Sequence, residues 1–240
     1  SGSFIKAQQP FSIHILKLPE EMLISSSSNL GLSGTVGDNG EINLTVDNNV
    51  PLQMKVGGNY KRNSGIHFYD INCDLPKFLK LVNFKLVKVF NGKVVGDFWI
   101  KGPKNDKGFE GALMMIDAEF SMPEYFKAHA KTDVIYLYFE KDKIYTPKTR
   151  VMLKKAPVDV SVLVQFKQMK YESLTVLVET VGDAYAPIAI NMNQVHVKGN
   201  AQCDLEITVE PNGATVVGSV VAKDTTAEFG TSTIGDMVQS

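Results

Sequence analysis

Apolar and polar residues alternate with a period of two along most of the chain. From Val158 to Phe166, five apolar residues stand at every second position. Shorter runs of the same kind follow at 174–178, 188–192, 205–209 and 216–220. Because successive side chains of a strand point to opposite faces of a sheet, this alternation predicts strands that each have one apolar face.

Turn-forming residues separate the alternating segments. Asp, Asn, Gly or Pro cluster at 38–40, 91–92 and 211–213, and a run of four charged residues lies at 140–143. Asn and Gly tolerate the positive φ angles of tight hairpins, so these clusters predict turns. We therefore expect about 14 to 17 strands, joined as antiparallel meanders.

Helices have little room in this pattern. Residues 74–82 predict a short helix, with Asp74 at the N-cap and Pro76 in the first turn. A single helical turn is also predicted at 18–24. The fold class is therefore all-β with at most one or two short helices. Alternation alone leaves the architecture open between a closed sandwich and one long sheet that curls to protect its apolar face.

The domain organisation is simple, because no linker, charge block or low-complexity tract divides the chain. We expect a single continuous domain at 4–229. Residues 1–3 are interpreted as a cloning remnant and 230–240 as a flexible tail, and the chain is expected to be a piece of a longer protein.

Composition and motifs exclude several functional classes. The 25 Lys and Arg residues are balanced by 26 Asp and Glu, which argues against a nucleic-acid partner. The four histidines lack the spacing of a metal site, and no Gly-x-Ser-x-Gly nucleophile motif occurs. We therefore expect no enzymatic activity, no metal and no cofactor.

The two cysteines leave the redox environment open. Cys73 and Cys203 lie far apart in the sequence, with no CxxC motif. Two inert buried thiols are the favoured interpretation, and one disulfide is the alternative.

One stretch resembles a known family. It comprises 92–103, with spaced glycines and a Gly-Pro turn, then 108–113, and then 117–120 followed by Pro123. Looser copies lie at 30–46 and 197–229. This pattern resembles the repeated unit of the TamB-like and AsmA-like proteins, which are bridge-like lipid-transfer proteins of the bacterial periplasm.

The resemblance implies a specific architecture and role. It implies a long antiparallel sheet curled into an open groove, a β-taco, whose apolar concave face shields phospholipid acyl chains. The implied function is phospholipid transport between the inner and outer membranes, in support of outer-membrane biogenesis. The implied location is the periplasm, within a longer protein anchored at the inner membrane. Its partners would be acyl chains, the rest of the same chain and an outer-membrane barrel protein.

The residues expected to line the groove are the alternating apolar residues of the C-terminal half. They contact lipid in this hypothesis, and none is catalytic. They are Val160, Val162, Val164, Phe166, Leu174, Val176, Val178, Ile188, Ile190, Met192, Leu205, Ile207 and Val209. The alternative is a structural or interaction module, a closed sandwich or solenoid, in which the same residues form an ordinary core.

Overall fold

The computed structural model describes residues 13–26, 30–47, 51–81, 87–123, 126–192 and 195–229. These residues form one sheet of fifteen antiparallel strands, which is not closed into a barrel. The all-β prediction is confirmed, and the strand number falls within the expected range. The termini that were interpreted as a remnant and a tail, 1–3 and 230–240, lie outside the described residues.

The first half of the sheet consists of short strands followed by much longer ones. They are β1 (Ile13–Lys17), β2 (Glu21–Ser26), β3 (Leu32–Gly37), β4 (Glu41–Asp47), β5 (Leu52–Asn59), β6 (Gly65–Asp74), β7 (Lys88–Lys101) and β8 (Gly108–Met122). The second half comprises β9 (Phe126–Lys141), β10 (Lys143–Leu153), β11 (Ala156–Lys167), β12 (Lys170–Thr180), β13 (Ala186–Met192), β14 (Val195–Glu210) and β15 (Gly213–Phe229). One helix, α1 (Leu75–Leu81), lies between β6 and β7.

The strands follow one another in sequence order from β1 to β12, each paired with the next. The order changes at β14, which pairs with both β12 and β13 along one edge and with β15 along the other. Thr180 seals the break between β12 and β13, since its Oγ1 accepts a hydrogen bond from the Cys203 amide at 2.9 Å. β12 and β13 therefore act as one interrupted strand beside β14.

The helix prediction at 74–82 is confirmed by α1. The Asp74 carboxylate accepts a hydrogen bond from the Lys77 amide at 3.2 Å, as expected of an N-cap. The helical turn predicted at 18–24 is wrong, because β2 begins at Glu21 and pairs with strands on both sides. Cross-strand pairing there outweighs the weak helical signal of Pro19-Glu20.

One predicted turn is also wrong. Asn91 and Gly92 lie inside β7, where the register against β8 shifts on both sides of Asn91. The Asn91 side-chain amide donates to the Asp117 carbonyl at 2.9 Å, across this irregularity. The Asn-Gly pair thus forms a bulge in a long strand, and bulges use the same residues as turns.

Three aspartates with positive φ interrupt long strands. Asp70 has a φ of 51°, Asp117 of 51° and Asp224 of 49°. Each stands at or beside a break in the apolar alternation of its strand, because one extra residue shifts the following side chains to the opposite face. These bulges keep the apolar residues of β6, β8 and β15 on one side of the sheet.

The sheet bends towards its apolar face. The rings of Phe109 on β8 and Phe166 on β11 have centroids only 5.2 Å apart. In a flat sheet, strands three places apart are separated by about 14 Å. We call the apolar side of the sheet, which these rings occupy, the inner face.

β9 and β13, which are not neighbours in the sheet, contact each other across the inner face. There Ala130 of β9, Val151 of β10, Ala156 of β11 and Ala186 of β13 form a buried cluster together with Leu153 and Val158. Val46, Cys73 and Phe139 are also buried elsewhere on this face, but no large side chain in the described ranges is fully buried. A closed sandwich of this size would bury such side chains completely, so the structure differs from an ordinary two-layer core.

Candidate functional site

The inner face carries an unbroken line of apolar residues across the sheet. Each member pairs directly with the next through the strand register, from Ile15 on β1 to Ala214 on β15. The line runs Ile15, Ile24, Gly34, Leu44, Val56, Phe68, Phe98, Gly111, Phe139, Ile144, Val164, Leu174, Val209 and Ala214. We call this set the apolar line. With adjacent strands about 4.8 Å apart, it is about 62 Å long.

The residues predicted to line the groove lie on this face. Eleven of the thirteen have described side chains, and the register places all eleven on one side of β11, β12, β13 and β14. Val176, for example, pairs with Val162 on one neighbour and with Ile207 on the other. The side chains of Ile190 and Met192 lie outside the described part of the structure.

The burial of these eleven side chains is unusual for a protein core. Every one is half-buried, neither sealed from solvent nor fully exposed. Core residues of a closed fold are buried more completely than this. The structure thus assembles the predicted residues into a shared apolar surface that remains partly open.

Sequence reasoning missed the aromatic part of the same face. Phe98 stacks on Phe68 at 4.7 Å and on Phe139 at 4.5 Å between ring centroids. Phe109 meets Phe139 and Phe166 edge to face. The alternation of Phe109, Gly111 and Leu113 was a usable signal, but it is obscured by the apolar run that precedes the Asp117 bulge.

Charge is kept off the inner face. Outside the bulges and hairpin ends, the register assigns no Lys, Arg, Asp or Glu to this face in the described strands from β2 to β15. Arg150 and Asp159, which lie on the opposite, outer face, form an ion pair. Lys148 bridges Asp159 and Glu179 on the same side, at 3.5 and 2.7 Å. Hydrogen bonding from Arg150 lowers the pKa of the Asp159 carboxyl below its usual value.

The outer face instead carries polar and aromatic pairs. His67 stacks between Tyr69 and Trp99, and its Nε2 lies 2.7 Å from the Asp97 carboxylate. Tyr138 stacks on Tyr136, with centroids 5.8 Å apart. The contacts of His67 with Trp99 and Asp97 join β6 to β7 and stabilise the sheet, whereas the two tyrosines are neighbours on β9.

The cysteines lie on the inner face and are free. Cys73 is buried on β6 and Cys203 is half-buried on β14. Burial raises the pKa of the Cys73 thiol to about 11, with a smaller contribution from Asp74. Both thiols therefore behave as small apolar side chains, as the sequence favoured.

Neither a metal cluster nor a membrane-spanning helix occurs within the described ranges. They contain no group of three or more His, Cys, Asp and Glu side chains that could hold a metal ion. None of their helices has the length and apolar character needed to cross a bilayer.

Comparison with known proteins adds no relative. No protein-family model matches the chain, and no curated protein or solved structure matches it significantly. The candidate site is therefore defined by its geometry alone. It is an apolar, uncharged and partly open inner face, bordered by a polar outer face.

Proposed function

We propose that the inner face binds and shields phospholipid acyl chains. The observation that carries this proposal is the apolar line, which crosses the sheet from β1 to β15 without a charged residue. An acyl chain offers apolar groups without hydrogen-bonding needs, and such a chain is the ligand that a long, uncharged and half-covered surface fits.

The energetics favour a lipid over water on this face. Each buried methylene group contributes about 0.8 kcal/mol. Each half-buried side chain would gain further burial when an acyl chain covers it. Binding would require no catalytic group, and the outer-face ion pairs would keep the complex soluble.

The proposal extends to the biological setting that the family resemblance implies. The chain would be one segment of a TamB-like or AsmA-like bridge in the periplasm, held by a longer protein anchored at the inner membrane. Phospholipids would move along the groove towards the outer membrane and support its biogenesis. An outer-membrane barrel protein would be the partner at the far end.

A matched pair of variants on one strand tests lipid binding. Val176 is half-buried on the inner face, whereas its neighbour Leu177 lies on the outer face with 45% of its surface exposed. Val176→Asp would place a carboxylate against the acyl chain, where desolvation costs several kcal/mol. Leu177→Asp adds the same charge on the solvent side and serves as the control.

The assay is native mass spectrometry of the purified protein, followed by titration with a fluorescently labelled phospholipid. We expect bound phospholipid in the unmodified protein and in Leu177→Asp, and loss of binding in a folded Val176→Asp. A lipid-free protein that fails to bind the labelled phospholipid would refute the proposal. Unfolding of Val176→Asp alone would favour the closed-core alternative, in which this side chain supports packing.

A further inference from the structure

Several residues of β7 and β8 recur in β14 and β15 at a constant offset of 107 positions. Glycine recurs at 92 and 199 and again at 111 and 218, and aspartate recurs at 97 and 204 and again at 117 and 224. Ala-Glu-Phe then follows at 118–120 and at 227–229, after two extra residues in the second copy. The four matches from 92 to 117 need no gap, and together with the shifted Ala-Glu-Phe they indicate an internal repeat.

The two hairpins share their backbone geometry as well. Gly111 and Gly218 have φ angles of +136° and +138°, and Asp117 and Asp224 have φ angles of 51° and 49°. The register is also the same, because Phe98 faces Gly111 and the equivalent Leu205 faces Gly218. β15 is thus the structural counterpart of β8.

The counterparts differ on their second edge. β8 is paired by β9 from Phe109 to Met122, whereas β15 has β14 as its one partner among the described strands. β15 consequently exposes valines on both faces, with Val216 at 61%, Val217 at 63%, Val220 at 54% and Val221 at 52%. A long edge strand that is apolar on both faces is a template for pairing with another strand.

The β8–β9 pair indicates which features a strand would need in order to pair with the edge of β15. Phe139 of β9 lies opposite Gly111, and its ring stacks on the ring of Phe98, which faces the same glycine from β7. Two basic side chains of β9 meet Glu119 of β8: His129 Nδ1 at 2.5 Å and Lys131 Nζ at 3.4 Å. On β15 the equivalent positions are Gly218 and the exposed Glu228.

We propose that the open edge of β15 is a docking site for an antiparallel strand of the β9 type. The incoming strand has apolar residues at alternate positions, an aromatic side chain opposite Gly218 and basic side chains beside Glu228. Backbone hydrogen bonds supply the affinity and these side chains fix the register. The inference rests on the internal repeat and is independent of whether the inner face binds lipid.

A peptide with the sequence of residues 126–141 is the direct probe. Added to the complete protein, it should slow amide hydrogen exchange in β15 by about tenfold or more at saturation, a factor worth about 1.4 kcal/mol. Exchange in β1, at the opposite edge of the sheet, should not change. A peptide carrying Phe139→Asp is the matched control, since it loses the ring that fits against Gly218 and should give no protection.

Three results would overturn the proposal. One is unchanged β15 exchange at peptide concentrations up to about 1 mM. Another is equal protection by the wild-type and Phe139→Asp peptides, which would show pairing without the proposed register. The third is a concentration-dependent dimer in sedimentation whose β15 is already protected without peptide, which would assign the edge to self-pairing. Selective protection of β15 by the wild-type peptide supports it.

Discussion

The substitution Gly111→Ala tests whether the close pairing of β8 with β7 requires glycine at this position. Gly111 lies within β8 at a φ of +136°, a region that residues with a side chain rarely adopt. A Cβ atom at this position would lie 2.5 Å from the Asp97 carbonyl oxygen and 2.6 Å from the Phe98 Cα. Both are backbone atoms of β7, so relief requires the two strands to move apart.

The structure allows the size of the effect to be worked out. Adopting the strained φ costs about 1–3 kcal/mol. The contact with the β7 backbone adds about 1–3 kcal/mol, as in an overpacked core. We expect a total loss of about 3–5 kcal/mol, which lies within the combined range of the two effects. For a chain of this size that corresponds to a fall in Tm of about 6–20 °C.

Two other glycines separate the cost of the positive φ angle from the cost of the steric contact. Gly182 has a φ of +61°, but a Cβ atom added there would meet no other atom within 4 Å, so Gly182→Ala should cost only about 1–2 kcal/mol. Gly213 has open space and no positive φ, so Gly213→Ala should change stability by less than about 0.5 kcal/mol. Urea and thermal unfolding followed by circular dichroism would rank the three variants. Equal stability of Gly111→Ala and Gly213→Ala would refute the reasoning.

Two further predictions concern titratable groups. The pKa of Asp159 is lower in the folded state than in the unfolded state, because Arg150 binds its carboxylate. The ion pair with Arg150 should therefore stabilise the fold above about pH 4, near the unfolded-state pKa. This contribution should be lost as pH falls through the lower folded-state pKa. Asp159→Asn should therefore lower the free energy of unfolding by about 1–3 kcal/mol at pH 7. In a plot of the urea midpoint against pH, the variant should show a smaller fall at acidic pH than the unmodified protein. An equal fall in both proteins would contradict this assignment. Cys73, whose pKa is raised to about 11, should be alkylated by iodoacetamide at pH 8 about a hundredfold more slowly in the folded protein than in urea, as followed by peptide mass spectrometry. Comparable rates in the two states would show that its burial is transient.

The C-terminal half of the site was predictable because the alternation in β11 is not interrupted. From Val160 to Phe166 this strand has no extra residue, and the register shifts on its two sides place the extra residues in β10 and β12 instead. Sequence alone could not show that the neighbouring strands also align their apolar sides. That alignment depends on register, which is set by long-range pairing and by the turns.

The middle of the sheet was harder to predict for a definite physical reason. In β8 the inner-face residues stand at odd positions up to Met115 and at even positions from Ala118 onwards, because Asp117 adds a residue between them. The sequence there shows Met114, Met115 and Ile116 in succession, which hides the period of two. An aspartate after an apolar run is the signal that would have revealed the shift in phase.

The same physics explains why the inner face is open in one region and closed in another. A single sheet has no second layer, so it covers its apolar face only by curling onto itself. How closely strands approach each other across the inner face depends on the side chains between them. The approach is close where Ala130, Ala156 and Ala186 meet, and these alanines are 2%, 7% and 4% exposed.

Along the apolar line most inner-face side chains are larger than alanine, and their burial varies, since Val56 and Phe139 are only 8% and 7% exposed. Val164 and Leu174 pair directly there, and both remain half-buried. Apolar surface left in this state retains a free energy of about 25 cal/mol per Å² that burial would release. A flexible apolar ligand can release it without further movement of the backbone. Under the proposed function, an acyl chain would cover the half-buried part of the inner face and not the buried cluster around Ala130.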